Sequence, residues 1–390
     1  MFVRLARRMP FGVSGKLGSA VARVSTFVYR PRQLSQTSTS CMRHFAAAAV
    51  SNRNRHPPRV HPVLQAIVLV VSPPDSVLRD SLEATLPKAW QQVWVASDTD
   101  VACLLQSDVS FPVVIIWNTF RAPSSCALRS LWPALHSRVK WVHAWSTGVD
   151  SLVPVLAELD PEGLVPVTNL KGAFSSSLAE WSLAAMLYFN KQIPRVVTNR
   201  KACHWDRFIM NELRGKTVGF VGFGSIAQAT AKICRAFGMT TLATNRSGNR
   251  HFLAHKIVPV EQVFAEADFV VCSLPGTAET DKFCSRLHFE AMKRTGVFIS
   301  IGRGSVVDEE ALIEVLSRGR ILGAALDVFS IEPLPPSSTL WAMENVLLTP
   351  HNADLTPTFQ QYAMEVFKKH LDTFQSGQPL RGTVDCRLGY

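Results

Sequence analysis

The sequence predicts an α/β protein made of two doubly wound parallel-sheet units. Short apolar runs recur along the chain with helical stretches between them. A glycine-rich turn stands between one such run and a helix in mid-chain, and a long apolar helix separates the two series. Strands buried on both faces read as continuous apolar strings, and their alternation with helices argues for a parallel sheet.

The first series opens with AIVLVVS (Ala66 to Ser72), an apolar run ended by Pro73-Pro74. VWVAS (Val93 to Ser97) and PVVIIW (Pro112 to Trp117) repeat the theme. VKWVHAWSTGVD (Val139 to Asp150) reads as a strand running into a glycine turn, which gives a first unit over residues 64–172. SSSLAEWSLAAMLYFNKQI (Ser175 to Ile193) is apolar nearly all round through Leu178, Trp181, Leu183, Ala185, Met186 and Phe189, so it reads as a helix buried between units. Ser175 to Ser177 are its N-cap candidates, and Lys201 to Asn211 reads as a connecting loop. The second series begins at Lys216 and spans residues 173–354. Its strands are the run ending at Val221, TLAT (Thr241 to Thr244), ADFVVCSLP (Ala267 to Pro275, a strand running into a loop), GVFISIG (Gly296 to Gly302), ILGAALDV (Ile321 to Val328) and VLLTP (Val346 to Pro350). Residues 355–390 hold one helix, about Phe359 to Phe374, and a polar end suited to a strap returning to the first unit.

The formal net charge of +11 invites a nucleic-acid reading, but its distribution opposes one. Residues 1–74 carry eleven of the 41 basic residues and no acid; the rest of the chain has 30 of each sign. The basic excess therefore belongs to an N-terminal segment, not to a groove. Residues 1–60 are Arg-rich, Ser-rich and acid-free, the composition of an organelle transit segment. Phe2, Leu5, Met9 and Phe11 interleave with Arg4, Arg7 and Arg8 as on an amphipathic helix, and RHFAAAA (Arg43 to Ala49) resembles a presequence cleavage site. The expectation is a mitochondrial matrix protein; a plastid is the alternative, and the cytoplasm if the segment is only a basic tail. A secretory h-region and an apolar run long enough for a membrane span are both absent from the sequence. The eight cysteines show no CxxC spacing and read as reduced, mostly buried thiols.

VGFGSIA (Val221 to Ala227) matches G-x-G-x-x-G/A after a strand and before a helix. Gly222 permits the tight turn, Gly224 lets backbone approach a diphosphate, and Ala227 is small enough for helix–strand packing. Ser225 and Ile226 would present the helix N-terminus to that diphosphate. The helix that follows carries Ile226, Ile233 and Phe237 on one face and is ended by Gly238. Asn245 lies 21 residues beyond Gly224, where an acid commonly reads the ribose and repels a 2′-phosphate. Asn245 removes that repulsion, Arg246 can pair with the phosphate and Ser247 can donate to it. NADP is therefore the preferred cofactor, with NAD as the alternative if Arg246 is merely a solvated loop cation.

Three residues stand at predicted strand ends, where an open α/β sheet builds its site: Arg303, Glu332 and His351. Arg303 can hold a carboxylate or carbonyl, His351 can protonate a developing alkoxide, and Glu332 can fix the imidazole and favour its cation. Each alone also fits a plain role as a surface turn, a solvated loop or a strand cap.

WSTGVD (Trp145 to Asp150), VGFGSIA, RGSVVDEEAL (Arg303 to Leu312), LDVFSIEPL (Leu326 to Leu334) and TPHNA (Thr349 to Ala353) together resemble the D-isomer-specific 2-hydroxyacid dehydrogenase family from about Ala66 onward. The look is that of its glyoxylate/hydroxypyruvate reductases. The resemblance implies a Rossmann cofactor domain inserted into a flavodoxin-like substrate domain. It implies Arg303, Glu332 and His351 as the catalytic set and main-chain groups of Thr147, Gly148 and Val149 around the substrate carboxylate. It puts Asp327 near the nicotinamide carboxamide and Leu274-Pro275 and Ile301-Gly302 along the cofactor. It also implies a homodimer formed through the cofactor domain and the long helix. Asn245-Arg246 departs from the usual acid, Ser225 replaces a longer polar residue, and HNAD (His351 to Asp354) departs from the commoner sequence after the His. Glu332 argues against formate dehydrogenases, which pair the His with Gln. The expected function is reduction of small 2-oxoacids to D-2-hydroxyacids; the alternative is a non-catalytic dinucleotide-sensing protein like the family's corepressor branch. No metal, nucleic-acid or membrane partner is expected.

Overall fold

The computed structural model describes residues 65–73, 75–106, 111–118 and 125–390, all within one compact unit from Pro57 to Tyr390. The transit-like features of residues 1–60 lie outside the described residues.

Continuous apolar strings become the central strands. The first sheet contains β1 (Ile67–Val71), β2 (Gln91–Val95), β3 (Val113–Trp117), β4 (Val139–Ala144) and β5 (Val167–Thr168). Its helices are α1 (Ser76–Thr85), α2 (Asp98–Leu105), α3 (Ser125–Leu135) and α4 (Val153–Leu159). The order is β2-β1-β3-β4-β5, every pair parallel, as in flavodoxin-like sheets. All five β3 residues are buried, as a strand covered on both faces requires.

After the first sheet come α5 (Ser175–Asn190) and α6 (Ile193–Lys201). The second sheet then uses β6 (Thr217–Val221), β7 (Thr240–Thr244), β8 (Lys256–Ile257), β9 (Phe269–Cys272), β10 (Val297–Ser300), β11 (Gly323–Leu326) and β12 (Val346–Leu348). Between them run α7 (Ser225–Ala236), α8 (Val260–Glu266), α9 (Arg286–Ala291) and α10 (Glu309–Ser317); α11 (Phe359–Gln375) follows the sheet. The order β12-β11-β10-β9-β6-β7-β8 is wholly parallel and reverses direction at β6/β9. Such a switch point opens a crevice at the strand C-termini, and the glycine loop leaves β6 there.

Two local expectations need correction. The fully buried face of α7 is Ala227, Thr230, Ala231 and Cys234; Ile226 packs half-buried against the same core, Ile233 is half-buried, and Phe237 is 44% exposed. This face joins a common core with Ala185 and Met186 of α5, and only small side chains allow two helices so close an approach. Ser175 to Ser177 also do not cap α5. Phe174 occupies the cap position without a side-chain bond, and the Ser177 hydroxyl donates to the Ala353 carbonyl instead.

Helix α11 carries the chain back to the first sheet. Ala363, Phe367, Leu371 and Phe374 pack with Val68, Val70, Val114 and Trp141, and Phe367 stacks on Trp141 at 5.5 Å. Burying each of the two Phe and the Leu contributes roughly 1.5–3 kcal/mol. Cys234, Cys272 and Cys284 are buried free thiols, but Cys103 and Cys203 are exposed, so burial of the cysteines is less general than the sequence suggests. Among the described residues no helix is long and apolar enough to cross a membrane.

Candidate active site

Three loops at strand ends build the site. The loop after β10 carries Arg303, the loop after β11 carries Glu332, and the loop after β12 carries His351. His351 Nδ1 lies 2.7 Å from Glu332 Oε2. The other oxygen, Glu332 Oε1, accepts from the Phe329 N–H at 2.9 Å, which fixes the carboxylate. The hydrogen bond that His351 donates to Glu332 raises the His351 pKa above its usual value, against burial, and the charge of Glu332 adds to the rise. Burial pushes the Glu332 carboxyl up, but the bonds from His351 and Phe329 outweigh it and the net shift is downward. Both directions favour an imidazolium–carboxylate pair.

His351 adopts a left-handed backbone conformation, φ 49°, unusual for a residue with a Cβ. Asp327, 2% exposed at the end of β11, anchors its loop. Its carboxylate accepts from the Thr349 hydroxyl at 2.6 Å, from the Asn352 N–H at 3.1 Å and from the Ala353 N–H at 3.2 Å. The resemblance puts Asp327 at the nicotinamide carboxamide; here its carboxylate is turned to the loop of His351.

Arg303 meets the loop after β4. Its Nε donates to Asp150 Oδ2 at 2.9 Å and its Nη1 to the Gly302 carbonyl at 2.9 Å. A Cβ on Gly148 would lie 1.4 Å from Arg303 Nη2, so only glycine admits this approach. The N–H groups of Thr147, Gly148 and Val149 have no acceptor among the described residues. The Asn169 amide holds the Thr147 carbonyl at 2.7 Å, and the Val149 side chain is buried in the first-sheet core. A guanidinium beside unpaired amides is a receptor for a carboxylate.

Most of the residues expected at the cofactor follow the ends of β6, β7, β9 and β10, around the β6/β9 crevice. Gly222 has φ +85°, the turn that releases the chain from β6 toward α7. No side chain caps α7 at Gly224, and a Cβ there would meet nothing within 4 Å. That open space before uncapped helical N–H groups fits a dinucleotide diphosphate. Ser225 and Ile226 are half-buried in the first turn of α7, and Leu274-Pro275 and Gly302 are half-buried at the ends of β9 and β10. Ile301, 4% exposed, puts its side chain into the core instead. Asn245, Arg246 and Ser247 form the turn after β7, where Ser247 Oγ donates to Asn245 Oδ1 at 3.3 Å. Arg246 and Ser247 are exposed.

Sequence reasoning missed two carboxylates. Asp150 closes the WSTGVD motif, yet nothing in the motif foretells its bond to a residue 153 positions away. Asp354 is half-buried; burial raises its pKa, while the charges of His351 and Arg303 pull it down. Its signal was the unusual HNAD.

A family model described as D-isomer specific 2-hydroxyacid dehydrogenase, NAD binding domain, matches residues 183–353. The glyoxylate reductase of Pyrococcus furiosus is 32% identical over 253 residues, which is 62% of this chain and 74% of that protein. The glyoxylate reductase/hydroxypyruvate reductase of Mus musculus is 33% identical over 237 residues, 58% of this chain and 71% of that protein. The solved structure of a D-isomer specific 2-hydroxyacid dehydrogenase from Xanthobacter autotrophicus Py2, in complex with NADPH and MES, superposes with a TM-score of 0.70 at 26% identity, covering 83% of this chain and 99% of that one. Likeness of this extent in both sequence and fold means that the chain belongs to the D-isomer specific 2-hydroxyacid dehydrogenase family and is a nicotinamide dinucleotide-dependent enzyme.

Proposed function

We propose that the protein reduces small 2-oxoacids of the glyoxylate and hydroxypyruvate kind to D-2-hydroxyacids, preferring NADPH to NADH. The observation that carries the reading is the pairing of His351 with Glu332 at 2.7 Å on the same side of the sheet as Arg303 and the free amides of Thr147 to Val149. When bound, NADPH supplies the hydride that reaches C2 of the substrate. Arg303 and the amides hold the substrate carboxylate and polarise the neighbouring carbonyl. His351 Nε2, which has no partner among the described residues, donates a proton to the carbonyl oxygen as C2 is reduced. Glu332 keeps that imidazole protonated and oriented until the transfer. The half-buried Asp354 carboxylate disfavours a second carboxylate on the substrate, which supports small monocarboxylates.

The 2′-phosphate reading rests on the turn after β7, which offers an amide, a guanidinium and a hydroxyl, and no acid. The P. furiosus and mouse relatives named above support the substrate class, and the NADPH complex from X. autotrophicus supports the cofactor. The protein acts as a homodimer: Trp205 and Ile209 are apolar and 89% and 88% exposed after α6, a surface suited to a second copy. Sedimentation equilibrium tests this, and a monomer at every concentration would refute it. Residues 1–60 direct the chain to the mitochondrial matrix, which a fluorescent fusion in cells would check; diffuse cytosolic signal would contradict it.

The deciding experiment is a 2-oxoacid panel assayed with NADH and NADPH. Turnover of glyoxylate or hydroxypyruvate, faster at low NADPH than at low NADH, is expected. Binding of NADPH without turnover of any 2-oxoacid would favour the dinucleotide-sensing alternative.

A further inference from the structure

Residues Val384 to Tyr390 join three parts of the molecule. The Val384 N–H donates to the Val167 carbonyl of β5 at 2.8 Å, and both Val384 and Cys386 pack into the first-sheet core. Asp385 then nucleates a tight turn. Its carboxylate accepts from the N–H groups of Arg387 and Leu388 at 2.8 and 3.2 Å, and its carbonyl from Leu388 and Gly389 at 3.1 and 2.8 Å. The Asp385 N–H donates to the Tyr390 carbonyl at 3.1 Å, so the turn closes on itself. Gly389 approaches the loop after β9 so closely that a Cβ there would lie 3.2 Å from Thr277 Cγ2. At its end, the Tyr390 ring faces Arg246, whose guanidinium carbon is 5.2 Å from the ring centroid.

Arg246 makes no ion pair or hydrogen bond through its side chain among the described residues, and it is exposed. Among the described residues its guanidinium lies over the ring of Tyr390. A guanidinium held over a ring by cation–π attraction keeps N–H donors free on its side away from the ring. We propose that Tyr390 is a positioning residue for the cofactor's 2′-phosphate, holding Arg246 over its ring so that the guanidinium edge is preset for a phosphate monoester. The inference rests on the reading of Arg246 as the 2′-phosphate contact. Tyr390 hangs from β5, so the substrate-side sheet supplies this restraint on the cofactor-side loop.

The test is equilibrium titration of the full chain with NADPH and with NADH, followed by nicotinamide fluorescence and needing no turnover. Tyr390→Ala should raise the ratio of the NADPH to the NADH dissociation constant roughly two- to fivefold, the worth of an exposed cation–π contact. Tyr390→Phe keeps the ring and should restore the ratio. The proposal fails if Tyr390→Ala leaves the ratio unmoved while Arg246→Ala raises it, if Tyr390→Ala weakens both cofactors equally, or if the Phe variant behaves like Ala. Equal weakening of both cofactors by Arg246→Ala would instead overturn the 2′-phosphate reading beneath it.

Discussion

His351 Nδ1 and Glu332 Oε2 lie 2.7 Å apart, and each shifts the other's pKa toward the charged form. His351 therefore stays protonated to higher pH than a free imidazole, as the proposed role of proton donor requires. Reductive kcat should be sustained at low and neutral pH and fall as pH rises through the raised His351 pKa. Replacing Glu332 by Gln removes the charge that raises it, so the alkaline limb should move to lower pH. The same signs govern stability. The His351 contribution is present below its unfolded pKa and lost as pH rises through the folded one; the Glu332 contribution is present above its unfolded pKa and lost as pH falls through the folded one. An unchanged alkaline limb in Glu332→Gln would refute the coupling.

Asp327 should matter more than its distance from the reacting atoms implies. It is 2% exposed and accepts three hydrogen bonds from the loop of His351. Asp327→Asn turns an amide N–H toward a backbone donor and should cost roughly 1–3 kcal/mol of stability. Chemical denaturation measures that loss, and kcat should drop with it, because the strained backbone of His351 (φ 49°) loses its anchor. Wild-type stability in Asp327→Asn would contradict the anchoring role.

Gly148 and Arg303 should fail together. A methyl at Gly148 would overlap Arg303 Nη2 and push the guanidinium off its bond to Asp150. Gly148→Ala and Arg303→Lys should each raise the KM for 2-oxoacid by roughly 10- to 100-fold, the worth of a charge-assisted hydrogen bond. Neither should alter NADPH affinity in a fluorescence titration. A Gly148→Ala enzyme with wild-type KM would show that the close approach has no part in substrate binding.

Asp354→Ser should widen the substrate range toward 2-oxoacids with a second carboxylate. The wild-type carboxyl is half-buried and lies within the fields of His351 and Arg303. Removing it should raise kcat/KM for oxaloacetate relative to glyoxylate. No change in that ratio across the pH range would remove Asp354 from the specificity account.

Much of the fold was legible because both-face burial writes itself plainly. VVIIW of β3 and FVVC of β9 are continuous apolar strings that only a covered parallel strand explains. Strands β5 and β8 were not legible, since two residues leave no pattern to read. The inner face of α7 was misread because a search for large apolar residues passes over Ala227, Thr230 and Ala231, which close helix packing selects. At the site, Arg303, Glu332 and His351 each follow a strand and could be named from sequence. The bond of Arg303 to Asp150 and the cation–π contact of Arg246 with Tyr390 join residues far apart in the chain, and no local pattern encodes them.

The most direct test of proton donation by His351 is a paired measurement on His351→Gln: steady-state reduction of glyoxylate and hydroxypyruvate, and NADPH affinity by fluorescence titration. The account predicts kcat lower by roughly 10²- to 10⁴-fold, the usual worth of a general acid, with NADPH affinity unchanged. Wild-type kcat, or loss of NADPH binding in step with turnover, would contradict it.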